Sequence, residues 1–360
     1  MTLDKPRRRR VLHVGFVPLI DCAPLVAAVR LGLDGKHGLS LQLHRQASWA
    51  AVRDKLLSGE LDAVHALAGL VYGVETGIGG PRGELAILMT LNQNGQAIVL
   101  SSGLARELER GRPLRELLSA LPRMPVLAQT FPTGTHAMWL YCWLAAQGVD
   151  PLRDIHGLSM PPPQMPAAMA AGDLDGYCAG EPWSRQAEAL GVGKRVVRSG
   201  QIWPGHPEKV LACRRQFAAL EPETATALTA AVLEACRWLD QSPDHRRQAA
   251  QWLAHADIIG LPAGHLAACL LPPADEAPST CLRFHADGQV NFPWISDGRW
   301  FLRQFRRWGW LAGADAVHDD ALLAEVHRLA SYRAAAQRIG VPLPVENSRS
   351  GPPLDDPQRE

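Results

Sequence analysis

Apolar positions along the first half of the chain switch between a strand-like run and a helix-like period, and they do so twice. Val11–Val17 is an apolar strand, punctuated by Pro18 and Asp21, and Cys22–Leu33 follows as a helix. Leu39–His44 alternates as a second strand, Trp49–Leu57 is helical, and Leu61–Val64 is a short buried strand. This βαβαβ order predicts a parallel sheet with helices on its faces. The pattern recurs as strand Met124–Gln129, helix Thr135–Gln147 ending at Gly148, strand Ile155–Met160, helix Met165–Ala171 and strand Gly176–Ala179. Leu57-Ser-Gly59-Glu60-Leu61-Asp62-Ala63 is echoed by Ala171-Gly172-Asp173-Leu174-Asp175-Gly176. Both copies read helix, glycine, acid, leucine, aspartate, strand, and glycine suits a left-handed helix terminus. The echo marks equivalent corners of two similar α/β lobes.

Beyond about Arg214 the chain turns helical, over Ala219–Asp240, Asp244–Ala254, Ala263–Leu270, Trp300–Trp310 and Ala321–Ile339. Phe284–Phe292 reads as a hairpin around Asp287-Gly288. Pro342–Glu360 has little apolar content and is expected to be disordered. The expected organisation is a tail over 1–10, a discontinuous first lobe from 11–100 and 211–340, a second lobe over 101–210, and a disordered tail over 341–360.

Bulk charge narrows the function. Lys and Arg number 37 against 36 Asp and Glu, a net charge of +1. That gives no electrostatic footprint for nucleic acid or an anionic membrane, so any contact with RNA or DNA is expected to run through a partner. No segment reaches the roughly 18 to 20 apolar residues that span a bilayer. The seven cysteines form no CxxC pair, and they read as buried free thiols rather than a disulfide framework or zinc site. Arg7–Arg10 precedes an apolar run that contains His13 and Pro18, which is poor material for an export signal. A cytoplasmic location is therefore expected.

Five segments hold candidate chemistry. Gln129–His136 joins a strand to a helix, where free N–H groups and the helix dipole favour an anion and His136 adds a donor. Ordinary N-capping by Thr133 or Thr135 explains the same residues. Gly180-Glu181-Pro182-Trp183 follows a buried strand, where α/β sheets bind ligands. Glu181 would repel an anion, so it must pair with a cation or point away. Lys209, before the strand-like Val210–Cys213, is either an anion's counter-charge or a surface lysine with a snorkelling stem. Trp49 offers an indole N–H and a flat wall, or a core packing residue. Gln96 offers two amide donors, or a turn amide. No nucleophile elbow, metalloprotease helix, phosphate loop or dinucleotide fingerprint is present. The histidines lack metal spacing, and no metal or cofactor is expected.

In these segments the chain resembles the nitrate- and bicarbonate-binding branch of ABC-transporter substrate-binding proteins, which includes a cytoplasmic nitrate sensor of the NasS type. The resemblance rests on GFVPLIDCAPLV, ASWAAVRDKL, LNQNGQAIVL, FPTGTHAMWLYCWLAAQGVDP, CAGEPW and GHPEKVL, in that order. It implies a two-lobed, periplasmic-binding-protein-like type II fold with the ligand between the lobes. It implies a pocket from Trp49, Gln96, His136, Gly180, Glu181 and Lys209, with Glu181 holding Lys209 or orienting His136. In this branch a basic residue at the Lys209 position goes with nitrate, and an acidic one with bicarbonate plus calcium. The implied ligand is nitrate, with nitrite as a second. For the sensor type, the implied partner is a NasT-type antiterminator with an RNA-binding ANTAR domain, released when nitrate closes the lobes. The other role the branch implies is the substrate-binding component of a nitrate ABC transporter. Enzymatic relatives of this fold carry a cysteine-rich iron motif, which the scattered cysteines do not resemble, so no enzymatic activity is expected.

Overall fold

A computed structural model describes residues 9–273, 277–313 and 316–350. Ten strands are present among them: β1 (Arg10–Phe16), β2 (Leu39–Arg45), β3 (Ala63–Leu67), β4 (Leu85–Thr90), β5 (Gln96–Ser101), β6 (Val126–Gln129), β7 (His156–Ser159), β8 (Gly176–Gly180), β9 (Gly193–Arg198) and β10 (Lys209–Arg214). They form two five-stranded sheets, ordered β2-β1-β3-β10-β4 and β7-β6-β8-β5-β9. The two orders are the same order. Each sheet has three parallel strands from a βαβαβ unit, and its fourth strand runs antiparallel to the central one. The glycines of the sequence echo occupy matching corners, as Gly59 and Gly172 terminate helices at φ of 85° and 83°. A Cβ is disfavoured there, which is why glycine stands at both.

The apolar runs explain the layering. Every residue of β3, β4 and β8 is buried, as expected for strands covered on both faces. The long helix Pro222–Gln241 buries its Ala, Leu and Val face against Ala23–Arg30 and backs the first sheet. Helix Ile295–Arg307 buries Trp300, Phe301 and Phe305, so its aromatics are core rather than an exposed partner surface. All seven cysteines are buried thiols outside any disulfide. No described helix is long and apolar enough to cross a membrane.

Several expectations are corrected. The lobe boundary at 100/101 would divide β5, and the boundary at 210/211 would divide β10. β5 pairs with β8 and β9 in the second sheet, and β10 with β3 and β4 in the first. The chain crosses between sheets before Gln96 and again before Lys209, where Gln93 pairs with Pro207. Phe284–Phe292 is not a hairpin. The Asp240 carboxylate accepts the N–H groups of Phe284, His285 and Ala286 at 3.0, 2.7 and 3.2 Å, leaving none of the three for a facing strand. Ala286, Asp287 and Gly288 are all left-handed and wind the segment into a 3-10 turn. The described part of the 341–360 tail is docked. Buried Asp297 needs a counter-charge, and Arg349 grips both its oxygens at 2.9 Å. The Asn347 carbonyl accepts from the Ile295 N–H at 3.0 Å. Residues 1–8 and 351–360 of the expected tails lie outside the described residues.

Candidate anion-binding site

The topology brings four strand ends to one place. The antiparallel strand of each sheet begins where its central strand finishes, with Gln96 opposite Gly180 and Lys209 opposite Leu67. Gln96 and Lys209 are thus matching first residues of matching strands. The C-terminal ends of parallel strands are where α/β sheets bind ligands.

The two lobes meet over this point. Trp183 Nε1 donates to the Pro18 carbonyl at 2.8 Å, and the Ile20 N–H donates to the Glu181 carbonyl at 3.0 Å. Helix Ala68–Thr76 of the first lobe lies on the Thr130–Gly134 turn of the second. Gly69 and Gly73 make that approach possible, because a Cβ at Gly69 would overlap the Thr133 carbonyl oxygen and one at Gly73 the Thr133 hydroxyl.

Lys209 is fully buried, and its ammonium bonds two carboxylates. Asp21 Oδ2 is 2.8 Å from Nζ, and Glu208 Oε1 is hydrogen-bonded to it. A lysine ammonium has three donors, so two carboxylates leave one N–H over. The Nζ stands 5.4 Å from the Trp49 ring. Burial alone would lower the Lys209 pKa, but Asp21 and Glu208 outweigh it and raise it. Burial works to raise that of Asp21, yet Lys209 and His65 hold it below the usual carboxylate range. His65 Nε2 donates to Asp21 Oδ1 at 2.8 Å, and burial keeps His65 neutral.

Helix Thr135–Ala146 supplies the opposite wall. His136 Nδ1 is 2.7 Å from the Thr130 hydroxyl, and Nε2 is 3.6 Å from Glu208 Oε1. Burial, then the charge of Lys209, holds the His136 pKa well below its ordinary value. A neutral imidazole accepting from Thr130 presents Nε2–H to the site. Gly180 closes the floor, since a Cβ there would stand 3.6 Å from both Asp21 Oδ2 and His136 Nε2. Trp49 Nε1, both amide atoms of Gln96, His136 Nε2 and the Thr133 hydroxyl are buried with no hydrogen-bond partner. Unpaired buried polar atoms each cost about 1–3 kcal/mol, so the indole N–H, the imidazole N–H and the Gln96 amide N–H among them favour a ligand that accepts.

Of the six residues expected in the pocket, Trp49, His136, Gly180 and Lys209 are brought together around the ammonium, and Gln96 is placed beside them by its pairing opposite Gly180. Glu181 does not hold Lys209 and does not orient His136. Its carboxylate turns away to Arg195 Nη1 at 2.7 Å and the Arg185 N–H at 2.9 Å, because β9 offers a half-buried guanidinium on that side. What Glu181 gives the cleft is its backbone. Lys209 is held instead by Asp21 and Glu208, and His136 by Thr130. Asp21, His65 and Glu208 are not among the residues that the sequence places in the pocket. The available signal was one acid inside the apolar run Val14–Cys22, since Asp is almost never fully buried unless paired. Among the described residues, no group of three His, Cys, Asp or Glu side chains is placed to hold a metal ion.

Comparison with known proteins gives the family and the fold. The model of the NMT1-like family matches residues 5–254. The nitrate/nitrite binding protein NrtA of Synechocystis sp. is 33% identical over 356 residues, covering 93% of this chain and 79% of that protein. The nitrate import ATP-binding protein NrtC of Synechocystis sp. is 34% identical over 310 residues, covering 83% of this chain. The chain spans only 46% of that relative's length. The crystal structure of the periplasmic nitrate-binding protein NrtA from Synechocystis PCC 6803 superposes with a TM-score of 0.88 at 31% identity, covering 95% of this chain and 93% of that one. The fold is thus that of type II periplasmic binding proteins. The chain belongs to the NMT1-like family, in the nitrate- and bicarbonate-binding branch of ABC-transporter substrate-binding proteins.

Proposed function

We propose that this protein binds nitrate, with nitrite as a second ligand, in the space enclosed by Trp49, Gln96, His136, Gly180 and Lys209. The observation that carries the reading is the buried Lys209 ammonium with one N–H left over, facing unpaired neutral donors. Nitrate is planar, weakly basic and poorly hydrated. It suits one fixed cation, several neutral donors and an indole wall. A fixed ammonium offers a monovalent anion a positive charge and a donor, whereas a carboxylate at that position would need a bound dication to reverse its field. The nitrate-binding names of the relatives add support, and no reaction is assigned.

The downstream role we propose is that of a cytoplasmic nitrate sensor. Closure over the anion shifts a two-state equilibrium and changes the surface offered to an ANTAR-domain antiterminator of nitrate-assimilation genes. The branch that the motif blocks resemble includes such a sensor, which supports it. The second reading is the binding component of a nitrate ABC transporter, favoured by the import role in the NrtC name. One pair of assays separates them. The sensor reading expects a complex with the antiterminator on size exclusion that dissociates when nitrate is added. Failure of that complex, together with nitrate-dependent stimulation of an import ATPase, overturns it in favour of transport.

A further inference from the structure

The charges around Lys209 do not balance for an anion site. Lys209 contributes one positive charge, and Asp21 and Glu208, both on its ammonium, contribute two negative ones. His65 and His136 are neutral. A monovalent anion entering among these buried groups would leave two net negative charges. Each unbalanced buried ion costs several kcal/mol. The hydrogen bonds are unbalanced in the same way. Glu208 Oε2 is buried without a hydrogen bond of good geometry, although the Thr135 hydroxyl is its neighbour. As a carboxylate it repels an incoming anion, and as a carboxylic acid it is one more donor.

We propose that the site takes up one proton, on Glu208, with each anion it binds. The inference rests on the anion-binding reading above. The proton comes from solvent and ends on a Glu208 carboxylate oxygen. The carboxyl then donates to the anion, while Lys209 keeps Asp21 and gains the anion as its second partner. Charge returns to that of the free site.

The groups facing Glu208 select it over its neighbours. Asp21, from the turn after β1, is held ionised by Lys209 and His65. His136, from helix Thr135–Ala146, is disfavoured as an acceptor by burial and Lys209. His206, on the crossover, holds its Nδ1 proton on the Pro207 carbonyl at 2.9 Å and is kept neutral by burial, with a pKa of about 3. Cys178, on β8, is a thiol that burial, and then the charge of Glu208, keeps protonated. Glu208 alone combines burial, repulsion from Asp21 and an oxygen without a bonded donor, and its pKa is already raised.

The test is calorimetry of the full chain with nitrate, in buffers of different ionisation enthalpy, between about pH 6 and pH 9. Observed heat plotted against buffer ionisation enthalpy gives the protons exchanged. The expected slope approaches one proton taken up per nitrate as pH rises past the Glu208 pKa of the free site. Affinity then falls by about tenfold per pH unit. In Glu208→Gln, proton uptake is expected to vanish and the remaining affinity to lose its pH dependence. Nitrate binding with no proton exchange across the range overturns the inference and leaves the ligand reading standing. Proton uptake that persists in Glu208→Gln overturns the assignment to Glu208. Absence of nitrate binding at every pH overturns the ligand reading and this inference with it.

Discussion

Replacing Lys209 with methionine is expected to abolish anion binding and to lower fold stability by about 3–5 kcal/mol, the usual cost of leaving buried charge unpaired. Methionine fills the volume of the lysine stem, so the loss is electrostatic rather than a cavity. Asp21 keeps only the His65 N–H at 2.8 Å, and Glu208 keeps only the Thr135 hydroxyl and a distant His136. Both carboxyls then hold folded-state pKa values above their unfolded ones. A group raised in the folded state loses its stability contribution as pH rises, so the deficit should deepen from about pH 5 to pH 8. Denaturant unfolding at several pH values measures this, and calorimetry reads the binding. The double variant Asp21→Asn with Lys209→Met should recover part of the stability and none of the binding. A Lys209→Met protein that binds nitrate with wild-type affinity would remove Lys209 from the site.

The second large effect concerns closure. Gly69→Ala is expected to weaken nitrate binding by roughly 10- to 100-fold, because overpacking costs about 1–3 kcal/mol and each 1.4 kcal/mol is tenfold. The added methyl meets the Thr133 carbonyl, which is backbone and cannot swing aside as a flexible side chain can. Within its own helix alanine is favoured over glycine, and the Phe301 ring, 3.0 Å from the added methyl, needs to give by only a few tenths of an ångström. The severe clash, with the Thr133 backbone of the second lobe, arises when the lobes close. Small-angle scattering should show the wild-type protein compacting with nitrate and Gly69→Ala staying expanded. Equal compaction in both proteins would mean that the Ala68–Thr76 helix does not gate the cleft.

Much of this architecture is legible in the sequence, and the reasons are local. A period of two or of 3.6 marks each strand and helix of the two βαβαβ units. The Gly59 and Gly172 corners announce themselves because only glycine sits comfortably at their φ. The strand paths after the crossovers are not local. Nothing within Gln96–Ser101 says that it joins the sheet of β8, since pairing depends on what the crossover leaves adjacent. The misread hairpin has a similar cause. Asp287-Gly288 is a good turn signal, and a carboxylate from Asp240, distant in sequence, takes the N–H groups that a facing strand would have used.

The site divides along the same line. Trp49, His136, Gly180 and Lys209 stand in segments whose turn, strand-end and charge signals point to a ligand. Glu181 stands in such a segment too, yet its side chain goes elsewhere because Arg195 is within reach. Asp21 reads as punctuation at the end of an apolar run. Its role depends on β10 running beside β3, which places Lys209 against it. Glu208 precedes the lysine that carries the assignment and is overshadowed by it, although it is the group that decides the charge of the site.

The central claim is that a monovalent oxyanion, nitrate first, is held at Lys209 between the lobes. Calorimetric titration of the full chain with nitrate, and with bicarbonate in the presence and absence of calcium, tests it most directly. The account predicts saturable one-to-one binding of nitrate that Lys209→Met abolishes, and no heat from bicarbonate in either condition. Silence with nitrate, together with calcium-dependent binding of bicarbonate, would contradict it.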